Sequence, residues 1–142
     1  VDAFSRLGIM NVRRENQAAL QYVRQLGIKS TGLKQKVMFL SGGNQQKVVL
    51  SKWLCSNAEI LILDEPTRGI DVASKVEIYQ WINRLTAQGA AIVMISSELP
   101  EILGMSDRIL VMRRGTIAGE FPADQATQEK ILQCALGSYG EA

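Results

Sequence analysis

Two short polar segments have the residue types and spacing to handle phosphate and water. Asp64 and Glu65 directly follow the apolar residues 60–63, and Pro66 comes next. A carboxylate at the end of a strand can hold a magnesium ion through its waters, and a neighbouring carboxylate that points elsewhere can polarise an attacking water. Taken alone, the pair also fits a strand that simply ends in polar residues before a proline turn.

The second segment places a hydroxyl and two glycines at the predicted start of a helix, as Ser41, Gly42 and Gly43. Backbone N–H groups and the positive end of the helix dipole would face outward there, which favours a bound phosphate. An ordinary serine cap with a glycine-rich turn would use the same residues. The segment alone leaves both interpretations open.

These segments must be positioned by the surrounding elements, which hydrophobic periodicity predicts. The pattern predicts helices over residues 15–26, 44–57, 73–88, 100–104 and 124–136, and strands over residues 60–63, 90–95, 108–112 and 116–121. The first two strands and the helix between them form a βαβ unit, and the last two strands form a hairpin. The continuous apolar runs 60–63 and 90–95 are typical of strands buried on both faces. The predicted fold class is α/β.

Both strands of the βαβ unit are followed by polar side chains. Asp64 and Glu65 follow the first strand, and Ser96, Ser97 and Glu98 follow the second. Ligands of open α/β sheets bind beyond the carboxyl ends of the strands. We therefore expect any reaction site to lie at this edge.

The amino-acid composition of the chain excludes several kinds of catalytic and metal site. The chain has 142 residues, 46% of them apolar and 21% charged, with a formal net charge of +2 and no histidine. Without histidine, a Ser-His-Asp triad, a Cys-His dyad and a His-ligated zinc site are excluded. The near-neutral charge gives no electrostatic footprint for nucleic acid, and no apolar run approaches the ~18 residues of a membrane span. Cys55 and Cys134 are expected to be free thiols, although a disulfide between them is possible.

The two segments together, in this order, resemble the ATP-binding cassette (ABC) family. Its signature motif is similar to LSGGNQQK at residues 40–47, its Walker B strand to ILILDEPT at 60–67, and its D-loop to RGID at 68–71. The segment SDRILVMRRGTIAGEF at 106–121 is similar to the hairpin that follows in such cassettes. Arg68, Asn44 and the sequence SSELPE are typical of the second cassette of tandem-cassette ATPases that power bacterial importers of ribose, xylose and galactose.

The resemblance implies a fold, a site and two cofactors, ATP and Mg²⁺. The fold would be the C-terminal part of a P-loop NTPase cassette, with a helical subdomain at 1–57, the Walker B, D-loop and switch-strand core at 58–121 and a C-terminal helix at 122–142. Asp64 would hold water-coordinated magnesium, Glu65 would orient or deprotonate the attacking water, and Ser97 would lie near the γ-phosphate. The trans contacts to ATP held by an opposite cassette would come from Ser41, Gly42, Gly43 and Gln45, and Asp71 would organise the interface between cassettes.

Two departures from the family pattern limit this expectation. The sequence contains no Gly-x-x-x-x-Gly-Lys-Ser/Thr, the loop that cradles the phosphates, so this chain alone is expected neither to bind ATP and Mg²⁺ tightly nor to hydrolyse ATP. The position that the family fills with a histidine contacting the γ-phosphate is Ser97, which can donate a hydrogen bond but cannot carry a positive charge. The alternative is a catalytically degenerate cassette that binds ATP and drives closure while its partner hydrolyses.

The family also implies the partners. They would be the first cassette of the same polypeptide or a second copy, membrane-spanning permease subunits and, indirectly, a periplasmic sugar-binding protein, with no nucleic acid. The protein would lie on the cytoplasmic side of the bacterial inner membrane as a peripheral subunit, and the chain itself would be soluble. A cassette protein acting on ribosomes or in DNA repair is a further alternative that the weak net charge and SSELPE oppose. The sugar cannot be read from the sequence.

Overall fold

The structure is a computed structural model that describes residues 5–6, 9–56 and 58–137. The chain divides into two compact units. One consists of residues 1–61 and 67–91, and the other of residues 62–66 and 92–142. The sequence-predicted division at residues 57/58 and 121/122 stays a prediction.

Helices and strands are interspersed along the chain, and they alternate from α2 to β5. The strands are β1 (Ser5–Arg6), β2 (Ile9–Met10), β3 (Ile60–Asp64), β4 (Ala91–Ile95), β5 (Arg108–Arg113) and β6 (Thr116–Pro122). The helices are α1 (Val12–Gln25), α2 (Gly42–Leu54), α3 (Val72–Ala87), α4 (Leu99–Met105) and α5 (Gln128–Leu136), with single 3₁₀ turns at Val37–Phe39 and Ala123–Gln125. The predicted fold class is confirmed.

The boundaries differ from the prediction mainly at helix starts. Helix α1 begins three residues earlier than predicted, because Asn11 caps it by accepting a hydrogen bond from the backbone N–H of Arg14 at 3.1 Å. Helix α5 begins four residues later than predicted, because Thr127 is its cap and accepts from the N–H of Lys130 at 3.2 Å. The short antiparallel pair β1–β2 lies within residues 1–57, which were expected to form a helical subdomain, so that expectation is wrong for these residues.

Strands β3 and β4 pair in parallel, and helix α3 connects them, as predicted. The N–H of Ala91 donates to the carbonyl of Glu59 at the start of the strands, and the N–H of Glu65 donates to the carbonyl of Ile95 at their end, both at 2.8 Å. The prediction that both faces of these strands are buried is wrong. Burial alternates along β3, where Leu61 and Leu63 are buried while Ile60 and Ile62 remain 68% and 70% exposed.

The reason is that the described residues cover only one face of this two-stranded sheet. A continuous apolar run indicates a strand but does not identify which of its faces meets a partner. In β4, too, Val93 and Ile95 are about half exposed.

The first unit packs around the C-terminal end of α1. Leu26 and Ile28 are buried against Trp81 of α3, and Leu40 and Val48 pack around them. The apolar side of α1 is only partly covered, because Leu20 stays 41% exposed. Helices α1, α2 and α3 therefore share one small core within this unit.

The second unit is built on the β5–β6 hairpin. Its two-residue turn, Arg114–Gly115, has positive φ at both positions, 48° and 82°, as a type I′ turn requires. The unit's core consists of Ile109, Val111, Phe121, Ile131 and Cys134. This arrangement confirms the predicted hairpin and terminal helix.

Cys55 and Cys134 are both free, and Cys134 is buried in the core of the second unit. Their predicted state as thiols is confirmed. None of the helices in the described part of the chain is long and apolar enough to cross a membrane.

Candidate functional site

Glu65 has a distinctive local geometry at the end of β3. Its backbone lies in the left-handed region at φ 47°, a conformation that costs a non-glycine residue about 1–2 kcal/mol. The strand-end hydrogen bond from its N–H to the carbonyl of Ile95 holds this turn in place. The turn directs the half-buried carboxylate toward the segment after β4, where its Oε1 accepts a hydrogen bond from the N–H of Ser97 at 3.0 Å.

Ser97 therefore meets Glu65 through its backbone rather than its side chain. Its exposed hydroxyl forms no hydrogen bond within the described part of the chain. The sequence predicted that Glu65 and Ser97 lie at one sheet edge, and the structure brings them together. A role for the hydroxyl near a γ-phosphate stays a prediction.

Ser96 supports this segment in a way that the sequence analysis missed. Its hydroxyl donates to a carboxylate oxygen of Glu101, which is buried on α4, and accepts from the N–H of Glu98 at 3.0 Å. These bonds fix the turn that carries Ser97. A serine five residues before an acidic residue at the start of a helix is too common a pattern to have predicted the contact.

Asp64, the predicted magnesium residue, is the last residue of β3 and is exposed. No cluster of three acidic, histidine or cysteine side chains that could hold a metal occurs among the described residues. Mg²⁺ commonly keeps several waters and binds through one or two carboxylates together with substrate phosphates. An exposed carboxylate beside Glu65 is suited to that kind of site, so the residues present fit the ion.

Ser41 precedes α2 without capping it. Its side chain forms no hydrogen bond to the backbone N–H groups of the helix, and its Oγ instead accepts from Nδ2 of Asn44 at 2.8 Å. Of the two interpretations left open by the sequence, the ordinary serine cap is not what the structure contains. The first N–H groups of α2 have no acceptor within the helix, which is the arrangement that anions use at helix starts.

Two amide side chains hold this turn. Asn44 Oδ1 accepts from the N–H of Lys29 at 2.9 Å, while Gln45 Nε2 donates to the carbonyl of Leu40 at 2.8 Å. The side chain of Gln45 is thereby directed back toward its own chain. Its predicted contact with a nucleotide is untested and stays a prediction.

Gly42 and Gly43 differ in their surroundings. Gly42 is exposed, and a Cβ built there would lie 3.4 Å from the carbonyl oxygen of Gly69 and 3.5 Å from Cγ2 of Ile70. Gly43 is buried, and a Cβ there would lie 2.6 Å from Cβ of Ser74, which is too close. The exposed glycine is therefore the one that leaves room for a ligand.

Asp71 is the N-cap of α3. Its Oδ1 accepts from the N–H of Ser74 at 3.0 Å and its Oδ2 from the hydroxyl of Ser74 at 2.7 Å. The backbone and side-chain hydrogen bonds from Ser74 hold the pKa of the Asp71 carboxyl below its ordinary value. The predicted role of Asp71 between cassettes is untested, and its role in capping α3 was missed by the sequence analysis.

The predicted residues thus form two local groups. Asp64, Glu65 and Ser97 lie in the second unit, where Glu65 and Ser97 are in contact. The signature residues and Asp71 lie in the first unit, where the glycines meet the segment 69–74.

Comparisons with known proteins agree on the family. The family model described as "ABC transporter" matches residues 3–68. The chain is 56% identical over 135 residues to a ribose import ATP-binding protein of Streptomyces coelicolor, with 95% of this chain and 26% of that protein covered. It is 57% identical over 136 residues to a xylose import ATP-binding protein of Thermoanaerobacter pseudethanolicus, with 96% and 27% covered.

Solved structures show the same fold. A dimeric ATP-binding cassette in a post-hydrolysis state, bound to ADP and Pi, matches with a TM-score of 0.72 at 23% identity and covers 85% of this chain and 52% of that one. The chain spans about a quarter of the length of the curated relatives it matches. On these matches, with LSGGNQQK and ILILDEPT in family order, the chain belongs to the ATP-binding domains of the ABC transporter family.

Proposed function

We propose that the chain is part of the ATP-hydrolysing subunit of an ABC importer for monosaccharides, and that it belongs to the second cassette of that subunit. The observation that carries the proposal is the Glu65–Ser97 contact at the sheet edge, in a chain whose relatives are named as ribose and xylose import ATP-binding proteins. The carboxylate is held by backbone geometry rather than by a flexible side-chain partner.

Each residue at that edge has a task in this mechanism. Bound Mg²⁺ would supply charge neutralisation for the phosphates of ATP, and Asp64 would hold it through water. Glu65 would orient the attacking water or accept its proton. The hydrogen bond from the N–H of Ser97 to Oε1 supports this role, because it would leave Oε2 for the water.

The turn Ser41–Gly42–Gly43 would contact a different ATP molecule from the one at the Glu65 edge. Its exposed helix start would meet the γ-phosphate of ATP held by an opposite cassette, either the first cassette of the same polypeptide or a second copy. The hydroxyl of Ser41 is not used as a cap and can rotate toward a phosphate oxygen. Gln45 and Asp71 would complete that interface.

The remaining partners follow from the importer function. Permease subunits would span the membrane and a periplasmic protein would deliver the sugar, while this subunit would lie against the cytoplasmic face of the inner membrane. ATP-driven closure of two cassettes would be the event transmitted to the permease.

Reconstitution tests this proposal. The full-length protein and its permease subunits, placed in vesicles with the binding protein, should take up ribose or xylose only when ATP is supplied on the cassette side. Amino-acid uptake measured in the same vesicles is the control. ATP hydrolysis that no monosaccharide stimulates, with no sugar uptake, would contradict it.

Ser97 favours a second candidate function, the degenerate cassette. A neutral hydroxyl beside the γ-phosphate gives less charge stabilisation than a histidine would, so this cassette would bind ATP and close while its partner hydrolyses. Single-turnover hydrolysis, with the opposite cassette inactivated, separates the two candidates. Turnover of ATP at the Glu65 site supports the hydrolytic function, and retention of intact ATP supports the degenerate one.

A further inference from the structure

Helices α2 and α3 meet at two successive levels. At the first level, the backbone of Gly43 lies against Ser74, so that a Cβ on Gly43 would be 2.6 Å from Cβ of Ser74 and closer still to its Oγ. Real Cβ atoms do not approach other atoms that closely. The absence of a side chain at Gly43 is therefore a packing requirement of the two helix starts.

At the second level, one turn further along both helices, Lys47 forms an ion pair with Glu77. The Lys47 side chain is only 7% exposed, whereas that of Glu77 is 51% exposed. The Lys47 ammonium group also lies 3.5 Å from the carbonyl oxygen of Gly27, at the end of α1. Burial of a lysine is costly unless its charge is paired, so Glu77, together with the Gly27 carbonyl, stabilises Lys47 in this position.

Both levels connect to site residues. Gly43 adjoins Ser41 and Gly42, and Ser74 is the residue whose N–H and hydroxyl bind the Asp71 carboxylate. A displacement of Ser74 would therefore move Asp71, and a displacement of α2 would move the signature turn.

We propose that these two contacts, Gly43–Ser74 and Lys47–Glu77, form an interhelical clamp that positions the signature turn and Asp71 as one body. The inference rests on the proposed function in one respect only, namely that these residues face an ATP-binding partner cassette. Ser74, Lys47 and Glu77 act as positioning residues and do not touch the nucleotide themselves. Gly43 serves the clamp through its lack of a side chain, in addition to the phosphate contact proposed for the backbone of its turn.

A size-exchange experiment in the full-length protein tests the first level. Gly43→Ala should lower the melting temperature and the ATPase rate, because the new methyl group overlaps Ser74. Ser74→Gly removes the overlapping Cβ and Oγ, so Gly43→Ala combined with Ser74→Gly should recover to the level of Ser74→Gly alone. Gly104→Ala is the matched control, since no atom lies within 4 Å of a Cβ there, and should lower neither quantity.

A charge experiment tests the second level. Lys47→Met keeps the length of the side chain and leaves Glu77 accessible to water, so the protein should still fold. We expect kcat per folded molecule to fall several-fold with little change in the KM for ATP. Lys47→Arg should preserve most of the activity, and Lys52→Met, on an exposed part of the same helix, should leave it unchanged.

The outcomes separate a positioning role from mere stability. Lys47→Met with a lower melting temperature but normal kcat per folded molecule would overturn the clamp as a positioning device. Failure of Ser74→Gly to rescue the melting temperature of Gly43→Ala would overturn the packing contact. If the wild-type protein proved not to energise sugar uptake, the proposed function would be wrong. The melting temperatures of Gly43→Ala, Ser74→Gly and the double variant would still show whether Gly43 and Ser74 are in contact. The clamp and the proposed function are therefore contradicted by different measurements.

Discussion

The N–H of Ser97 donates a hydrogen bond to Oε1 of Glu65 at 3.0 Å. This bond joins the ends of two parallel strands at the residues proposed to handle water and phosphate. It is made by backbone, so a change of the Ser97 side chain leaves it intact. The orientation of the Glu65 carboxylate therefore does not depend on which side chain occupies position 97.

Glu65→Gln should abolish most ATP hydrolysis at this site without unfolding the protein. The glutamine carbonyl can still accept from Ser97, but it is a poor base, and loss of a general base typically costs a hundredfold or more in rate, about 10²–10⁴. ATPase rate and melting temperature should be measured on the same preparation. Glu120→Gln, on the exposed surface of the hairpin, is the control.

The same change should cost less here than in a cassette that retains its histidine. Since Ser97 cannot carry a charge, the site has less transition-state stabilisation left to lose. Equal losses from the matched Glu→Gln changes in the two cassettes would mean that they are functionally equal.

Ser41→Ala should affect activity more than stability. The hydroxyl of Ser41 does not cap α2, so we expect the free energy of unfolding to change by less than about 0.5 kcal/mol. Thr127 does cap its helix, and Thr127→Ala should cost about 1 kcal/mol while leaving ATPase activity intact. Chemical denaturation and ATPase assays of both variants test the contrast, and an equal activity in the two would contradict a phosphate role for Ser41.

Part of the fold and of the candidate site could be predicted from the sequence alone. The order of helices and strands from α2 to β6, and the place of Asp64 and Glu65 at the end of β3, follow from local periodicity. The left-handed backbone of Glu65 and its bond to Ser97 depend on residues 32 positions apart, which no local pattern reports.

The same limit applies to the first unit. The Lys47–Glu77 pair connects two helices, and neither residue type nor spacing distinguishes these two residues from the other charged residues of the chain. The burial of only one face of β3 could not be predicted, because a continuous apolar run has the same sequence pattern whether one face or both faces are covered.

Asp71 should make stability depend on pH in the acid range. The pKa of Asp71 is lowered in the folded protein by the hydrogen bonds from Ser74, whereas in the unfolded chain the same carboxyl has the ordinary pKa of an aspartate, about 4. The carboxylate therefore stabilises the folded state above that value, and this contribution is lost as the pH falls through the lowered pKa. The melting-temperature difference between wild type and Asp71→Ala should be present at neutral pH and vanish in acid; a difference that grows on acidification would contradict the sign.

The 142-residue chain should bind Mg-ATP weakly on its own. Its sequence contains no Gly-x-x-x-x-Gly-Lys-Ser/Thr motif, and the Asp64 and Glu65 carboxylates would repel a triphosphate in the absence of magnesium. Calorimetric titration is the measurement. A dissociation constant in the low micromolar range, about −8 kcal/mol, would contradict the prediction.

The most direct test of the central claim, that the Ser41–Gly42–Gly43 turn acts on ATP across a cassette interface, compares Gly42→Asp with Gly42→Asn in the full-length transporter. The two side chains have nearly the same size, and Gly42 is exposed with only ordinary contacts around it, so both proteins should fold and reach the membrane. The added carboxylate would face a phosphate, and sugar-stimulated ATPase activity should therefore be at least tenfold lower for Gly42→Asp than for Gly42→Asn. Equal activities from the two folded proteins would mean that this Ser-Gly-Gly segment is only a turn.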